Sequence, residues 1–381
     1  MNRVTSPLPL LPKEFIECWY SQLALLSRAP RLPKGPRQRK DFVRELLRQH
    51  RPLLVSLWKA YNISHRKDQQ KKVAEAPFSI AYLLGFHLNN CQRHVSTFQR
   101  LSFVGEKKPP YFSSPPRLLD IGCGSGAWAQ SAVFHLRHTI QTQLPLQVDL
   151  VDRSRFLLKA AEAGIHKMCE STQVRLLHSS LIDENGRFVL KKIVSQCRED
   201  QQTLWIGLSY FWNELIAQPR VRGFLGDWLV ALQKESFPVL IFFVEPGREK
   251  EAREAQQVRH LFQDIGFKIL YPCPNSDPCP MIKTPENWCY SEVPNHKVPD
   301  WQPIADSLQL QRKLLATATY VFANPAAQAT IPSHSRKSVI VGRPVVGAKI
   351  QLLCCNGDSL EKRMSARRDV LRGTTMTPKS P

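Results

Sequence analysis

The stretch that most restricts what this chain can fold into is "RLLDIGCGSGAW", residues 117 to 128. An aliphatic run ends in Gly122, Gly124 and Gly126, and a helix-patterned segment, "AWAQSAVFHLRHTI", begins at once. Glycines at such a junction let the backbone turn tightly and let a ligand approach with no Cβ in the way. A second strand, "LQVDLVD", then ends on Asp152, and the alternation continues: helix "SRFLLKAAEAGIHKM", strand "QVRLLHSS", strand "TLWIGLSYF", helix "RGFLGDWLVALQKE", strand "FPVLIFFVEPG", helix "EKEAREAQQVRHLFQDIG". The last strands are "FKILYP" and "ATATYVFAN". Strands alternating with helices predict an α/β core whose parallel sheet is covered on both faces.

The spacing of the turn narrows its ligand. A dinucleotide site wants G-x-G-x-x-G, which lays a pyrophosphate on the helix N-terminus. Here the glycines read G-x-G-x-G, with Asp120 two residues ahead of the first. This segment resembles the Rossmann-like class I S-adenosylmethionine (SAM)-dependent methyltransferases. That cofactor carries no phosphate, so an acid beside the loop is no liability and can bind its ammonium through water. Asp152 stands where a carboxylate accepts hydrogen bonds from ribose hydroxyls, and Asp183, after the third strand, is a candidate for the adenine amino group or else a surface loop acid. An ordinary strand-to-helix turn is the alternative for the glycines. The turn after the fourth strand, "LSYFWNEL", lies outside the carboxyl ends of the strands, where chemistry is expected. It lacks the Asp or Asn followed by Pro-Pro-aromatic of amine-methylating enzymes, and it lacks a cysteine nucleophile. Asn213 and Glu214 there are candidates to orient an amine or accept a proton. They serve equally as a helix cap and a first-turn acid.

The chain has 381 residues and 43% hydrophobic content, enough for about two domains with a real core. Three regions are expected: helical residues 1 to 115, the core at 116 to 324, and 325 to 381 as linker, small β appendage and basic tail. "SIAYLLGFHLNNCQRHVSTFQRL" predicts a long helix in the first region, and the tail from Lys362 is expected to be disordered in isolation. Lys+Arg 53 against Asp+Glu 32 gives a net charge of +21, which points to a polyanionic partner, nucleic acid before lipid headgroups. No apolar run reaches the ~18 residues of a membrane span. A monomer without a membrane partner is expected, in the bacterial cytoplasm or, as the alternative, the mitochondrial matrix.

Three of ten cysteines, Cys273, Cys279 and Cys289, fall in the proline-punctuated stretch "YPCPNSDPCPMIKTPENWCYSEV", and a doublet, Cys354 and Cys355, follows in "QLLCC". Prolines fix a loop that lets sulfurs converge on a soft metal or a cluster. Alternation along a strand lets only one of the doublet face inward. Spacing alone leaves open a metal site or buried apolar thiols. "VLIFFVEPG", "YPCPNSDPCP", "NWCYSEV" and "GRPVVGAKIQLLCCNG", together with "AYLLGFHLNN", "DIGCGSG" and "SYFWNEL", resemble the ribosomal small-subunit methyltransferase-like family of bacteria and mitochondria, the Rsm-twenty-two type. The resemblance implies a methyltransferase core, association with the small ribosomal subunit or its rRNA rather than DNA, and a four-iron four-sulfur (4Fe-4S) cluster. It gives as ligands Cys273, Cys279, Cys289 and one of Cys354 or Cys355; zinc is the alternative occupant. Some relatives are thought to be assembly factors without methyl transfer, so the resemblance implies either an rRNA methyltransferase or a non-catalytic rRNA-binding factor.

Overall fold

The structure is a computed structural model that describes residues 11–61, 75–101, 115–179, 184–212, 219–284, 286–295, 299–309, 314–330, 338–341, 345–346, 350–365, 372 and 375–376. Its centre is an eight-stranded sheet built from β1 (Arg117–Ile121), β2 (Gln147–Asp152), β3 (Gln173–His178), β4 (Leu204–Ser209), β5 (Val239–Pro246), β6 (Lys268–Tyr271), β7 (Ser291–Pro294) and β8 (Leu314–Ala323). The strand order is β3-β2-β1-β4-β5-β8-β6, with β7 paired to β8 beside β6. β1 to β5 run parallel, as the alternation predicts, but β8 is antiparallel to β5, β6 and β7. The wholly parallel sheet read from the sequence is thereby corrected. A parallel neighbour needs a long crossover, whereas the chain between β6 and β8 is spent largely on the cysteine loop and the short helix Gln302–Ser307.

The period of two along each strand divides the interior into two cores. Leu204, Ile206 and Leu208 of β4 and Val239, Ile241 and Phe243 of β5 face one core. Trp205, Leu240 and Phe242 between them face the other. The first core is covered by Glu184–Glu199, Pro219–Gln233 and Glu249–Ile265. Glu184–Glu199 has no counterpart in the pattern read above, although Leu190, Ile193, Val194 and Cys197 line its buried side at helical spacing. The second core is covered by Ala127–His138 and Arg155–Met168.

The N-terminal region is helical: Lys13–Ser27, Pro36–Lys59, and a continuous segment of Ala76–Tyr82, a π-helical Leu83–His87 and Leu88–Arg100. Its apolar sides share one cluster with Ala127, Leu157 and Ala160 of the core helices, so the helices clasp the sheet domain. Beyond β8 the residues read as a linker begin with the short helix Pro325–Thr330, whose start is held by Asn324 Oδ1 accepting from the Ala327 amide (2.9 Å).

The C-terminal appendage is a five-stranded antiparallel sheet: β9 (Ser338–Ile340), β10 (Val345–Val346), β11 (Ile350–Cys355), β12 (Leu360–Ser365) and β13 (Thr375–Met376). β12 takes up residues 362–365, the first of the basic tail, as an added strand. Its side chains are exposed or half-buried, and the main-chain ladder to β11 recruits a basic segment that apolar patterning alone does not reveal.

Candidate functional site

β1 delivers the chain into the glycine turn, where Gly122, Gly124 and Gly126 all adopt positive φ (65°, 51° and 74°), a region that costs other residues about 1 to 2 kcal/mol. The turn is pinned to the end of β2: the Gly122 and Cys123 amides donate to Val151 O at 2.8 and 3.1 Å. One carboxylate oxygen of Asp152 accepts from the Gly124 amide (2.8 Å) and the other from the Ser154 amide (2.7 Å). Each oxygen keeps a further lone pair for a hydroxyl donor. Burial raises the Asp152 carboxyl above its ordinary range, with the amide bonds opposing.

Asp120 is buried beneath the turn. Its Oδ2 accepts from the Ala129 amide in the first turn of the following helix (3.2 Å), and its Oδ1 finds no partner among the described residues. Burial pushes its carboxyl up to about 8. The glycines divide the labour. A Cβ on Gly126 would stand 2.7 Å from Ala161 Cβ, so this glycine lets two helices meet. Gly122 faces the Phe211 ring and Gly124 the Tyr82 hydroxyl. The Cys123 thiol lies along the turn itself, 3.6 Å from Gly124 O.

Supports that the sequence reading missed come from the N-terminal helices. Gln22 Nε2 donates to Ser125 O (2.9 Å) and Ala160 O (3.0 Å). His87 Nδ1 lies 2.8 Å from Ser125 Oγ, and its Nε2 lies 3.4 Å from Cys91 Sγ. Burial lowers the His87 imidazole to about 3, so it is neutral at physiological pH. Polar residues at otherwise apolar helix positions were the available signal.

The turn after β4 is strained and aromatic. Tyr210 has φ 56°, its ring meets His94 edge-on at 6.0 Å, and the Arg93 guanidinium lies 5.8 Å from its centroid. Strain of this kind collects at functional sites. Glu245, buried at the end of β5, accepts from the Trp212 amide (2.9 Å). The candidates Asn213 and Glu214, and Asp183, lie outside the described residues.

The cysteines gather at the seam between the two sheets. Cys279, Cys289 and Cys355 pack in one apolar cluster with Met281, Val339 and Val341. Cys273 packs at the edge of the larger core. Burial drives the Cys289 thiol well above its ordinary range, and Cys273, Cys279 and Cys355 add to the rise, which puts the four sulfurs in one electrostatic neighbourhood. Cys354 faces the other way, among Ile340, Ile350 and Leu352, so alternation along β11 selects Cys355. None of the ten cysteines is in a disulfide. Among the described residues no three His, Cys, Asp or Glu side chains gather tightly enough to hold a single ion. The seam is closed on both sides. A Cβ on Gly357, in the turn between β11 and β12, would run into the Asn275 amide of the cysteine loop. Arg372 donates to Trp288 O (2.6 Å) and Val341 O and lies over the Tyr290 ring at 3.6 Å.

Solved structures similar to this chain include methyltransferases. One from Listeria monocytogenes, described as a class I SAM-dependent methyltransferase, is 12% identical, with 84% of this chain and 90% of that chain covered and a TM-score of 0.37. Magnesium protoporphyrin IX methyltransferase of Synechocystis, solved with bound SAH, is 10% identical over 71% of this chain and 99% of that one, at 0.31. Precorrin-6y C5,15-methyltransferase of Geobacter metallireducens is 11% identical over 60% and 87%, at 0.30. A search of the curated proteins gives no match. The core, with its parallel strands, inserted antiparallel β8 and glycine turn after β1, has the Rossmann-like α/β fold of class I SAM-dependent methyltransferases, extended by N-terminal helices and a small antiparallel sheet. Residues 91–374, well over half of the chain, match the family described as mitochondrial small ribosomal subunit Rsm22, and the chain belongs to that family.

Proposed function

We infer that this chain is a SAM-binding protein of the small ribosomal subunit that methylates its rRNA during assembly or translation. The observation that carries this reading is the pairing of three left-handed glycines with the Asp152 carboxylate, which ties the turn to β2 and keeps acceptor capacity for ribose hydroxyls. When bound, SAM supplies a methyl group on a sulfonium. Gly122 and Gly124 admit it to the backbone, Asp152 holds its ribose, and the partnerless Oδ1 of Asp120 fits its ammonium, directly or through water. Asp183 at the adenine, and Asn213 and Glu214 beside the acceptor, complete the proposed set. Phe211 covers the turn and limits the entry of water. The net charge of +21 supplies phosphate contacts. The family's description favours the mitochondrial matrix over the bacterial cytoplasm.

Cys273, Cys279, Cys289 and Cys355 fit a 4Fe-4S cluster, in which each sulfur binds a different iron. Zinc is the alternative occupant of the same sulfurs. Cys354, on the opposite face, is excluded from this set. A cluster there clips the cysteine loop to the appendage and lowers the cost of ordering a proline-rich segment.

A non-catalytic rRNA-binding assembly factor is the second reading, favoured by the absence from "LSYFWNEL" of an amine-methylation motif. Calorimetric titration of SAM into wild type and Asp152→Ala tests the pocket: about tenfold weaker binding by the variant is expected, and equal affinity discards the assignment. Labelled methyl transfer to immature small-subunit rRNA separates the readings. Binding without transfer leaves the assembly factor.

A further inference from the structure

The helix Glu249–Ile265 turns Gln256, Arg259 and Gln263 toward the cysteine loop, at i, i+3 and i+7. Arg259 is 1% exposed. Its Nε donates to Cys273 Sγ at 3.3 Å, one terminal nitrogen to Gln263 Oε1 at 2.5 Å and the other to Asp277 O at 2.6 Å. Gln256, equally buried, donates through Nε2 toward Cys279 Sγ at 3.8 Å. The ion pairs of this helix belong to Arg248 and Arg253, and among the described residues no carboxylate pairs with Arg259. A guanidinium cannot shed its proton, and a buried cation without an anion is strongly destabilising. The charge on Arg259 is balanced when the sulfurs beside it are thiolates, the form in which they bind metal.

We propose that Arg259 is the built-in counter-cation of the cysteine centre, and that with Gln256 it forms a shell of N–H donors to sulfur that sets how tightly Cys273 and Cys279 hold their metal and how readily a cluster there is reduced. The proposal rests on the metal reading above and adds residues to it. Donors to sulfur and a fixed positive charge stabilise the more negative, reduced state of a thiolate cluster. Gln263 Oε1 and Asp277 O each engage one terminal nitrogen and fix the guanidinium plane, which aims Nε toward Cys273.

The test uses the full chain, stripped of metal under anaerobic conditions and titrated with Co2+ while sulfur-to-cobalt charge-transfer absorption is followed. Wild type, Arg259→Gln, Arg259→Lys and Cys273→Ser are compared. Arg259→Gln is expected to bind Co2+ about tenfold or more weakly, the usual cost of losing an outer partner, and Arg259→Lys to recover part of the loss. In samples reconstituted with iron and sulfide, the midpoint potential of Arg259→Gln is expected to lie below that of wild type. The proposal is overturned if Arg259→Gln matches wild type in both readouts while Cys273→Ser loses the band. Should Arg259→Gln fail to fold, Arg259→Met, which also removes the charge and the donors, is read in the same two ways, and wild-type affinity and potential in it overturn the proposal. A wild-type chain that shows neither the band nor bound iron refutes the metal reading itself, and this proposal with it.

Discussion

Replacing Gly126 by alanine separates the backbone cost of the glycine turn from its packing cost. At φ 74° an alanine enters the left-handed region, at about 1 to 2 kcal/mol. Its Cβ would also stand 2.7 Å from Ala161 Cβ and 3.2 Å from Ala161 Cα. The second contact is backbone, so the helices Ala127–His138 and Arg155–Met168 must part, and overpacking of this sort costs about 1 to 3 kcal/mol more. The sum is about 2 to 5 kcal/mol. Gly124→Ala is the matched control: φ is 51°, but the added Cβ meets only the Tyr82 hydroxyl at 3.4 Å, so about 1 to 2 kcal/mol is expected. Equilibrium unfolding in urea, followed by far-UV circular dichroism, gives both values as shifts in midpoint at constant slope. If Gly126→Ala is no less stable than Gly124→Ala, the third glycine is not there to let the helices touch, and the division of labour drawn from the structure is wrong.

Two further outcomes are expected. Cys355→Ala should abolish iron and sulfide retention while Cys354→Ala leaves it intact, as measured by metal analysis of anaerobically purified chains; equal loss in both would contradict the strand alternation. Asp120 holds a proton up to about pH 8 in the folded chain but sheds it near pH 4 when unfolded. Its contribution to stability is thus complete below about pH 4 and is lost as pH rises toward 8. Asp120→Asn should flatten that decline, and urea midpoints of the two proteins that keep a constant difference from pH 5 to 8 would refute the assignment.

The core strands β1, β2, β4 and β5 were legible because each is a short, largely buried aliphatic run, and Gly122, Gly124 and Gly126 mark a junction of three positive-φ residues. β8 was visible as a strand but not as an antiparallel one, since Leu314–Ala323 has the same β-branched and aromatic content whichever way it runs. β12 was hidden because its half-exposed, basic face carries no apolar period, and its partner β11 determines it through the main chain. The doublet Cys354 and Cys355 could be narrowed to one inward thiol, but choosing between them needed the register of β11 against β9. Gln22, His87 and Arg259 escaped notice for a common reason. Each is a polar side chain on the buried side of a helix, and the local pattern shows that it is out of place without showing which group it meets.

Cys355 lies on β11, long after the other three sulfurs and beyond every strand of the larger sheet. During synthesis the nascent chain emerges from its N-terminus, so the glycine turn and the whole first sheet can form while the thiol seam still lacks its fourth corner. Closure of that seam therefore waits for β11, and a polypeptide halted before it presents only three of the four sulfurs proposed to share a metal centre.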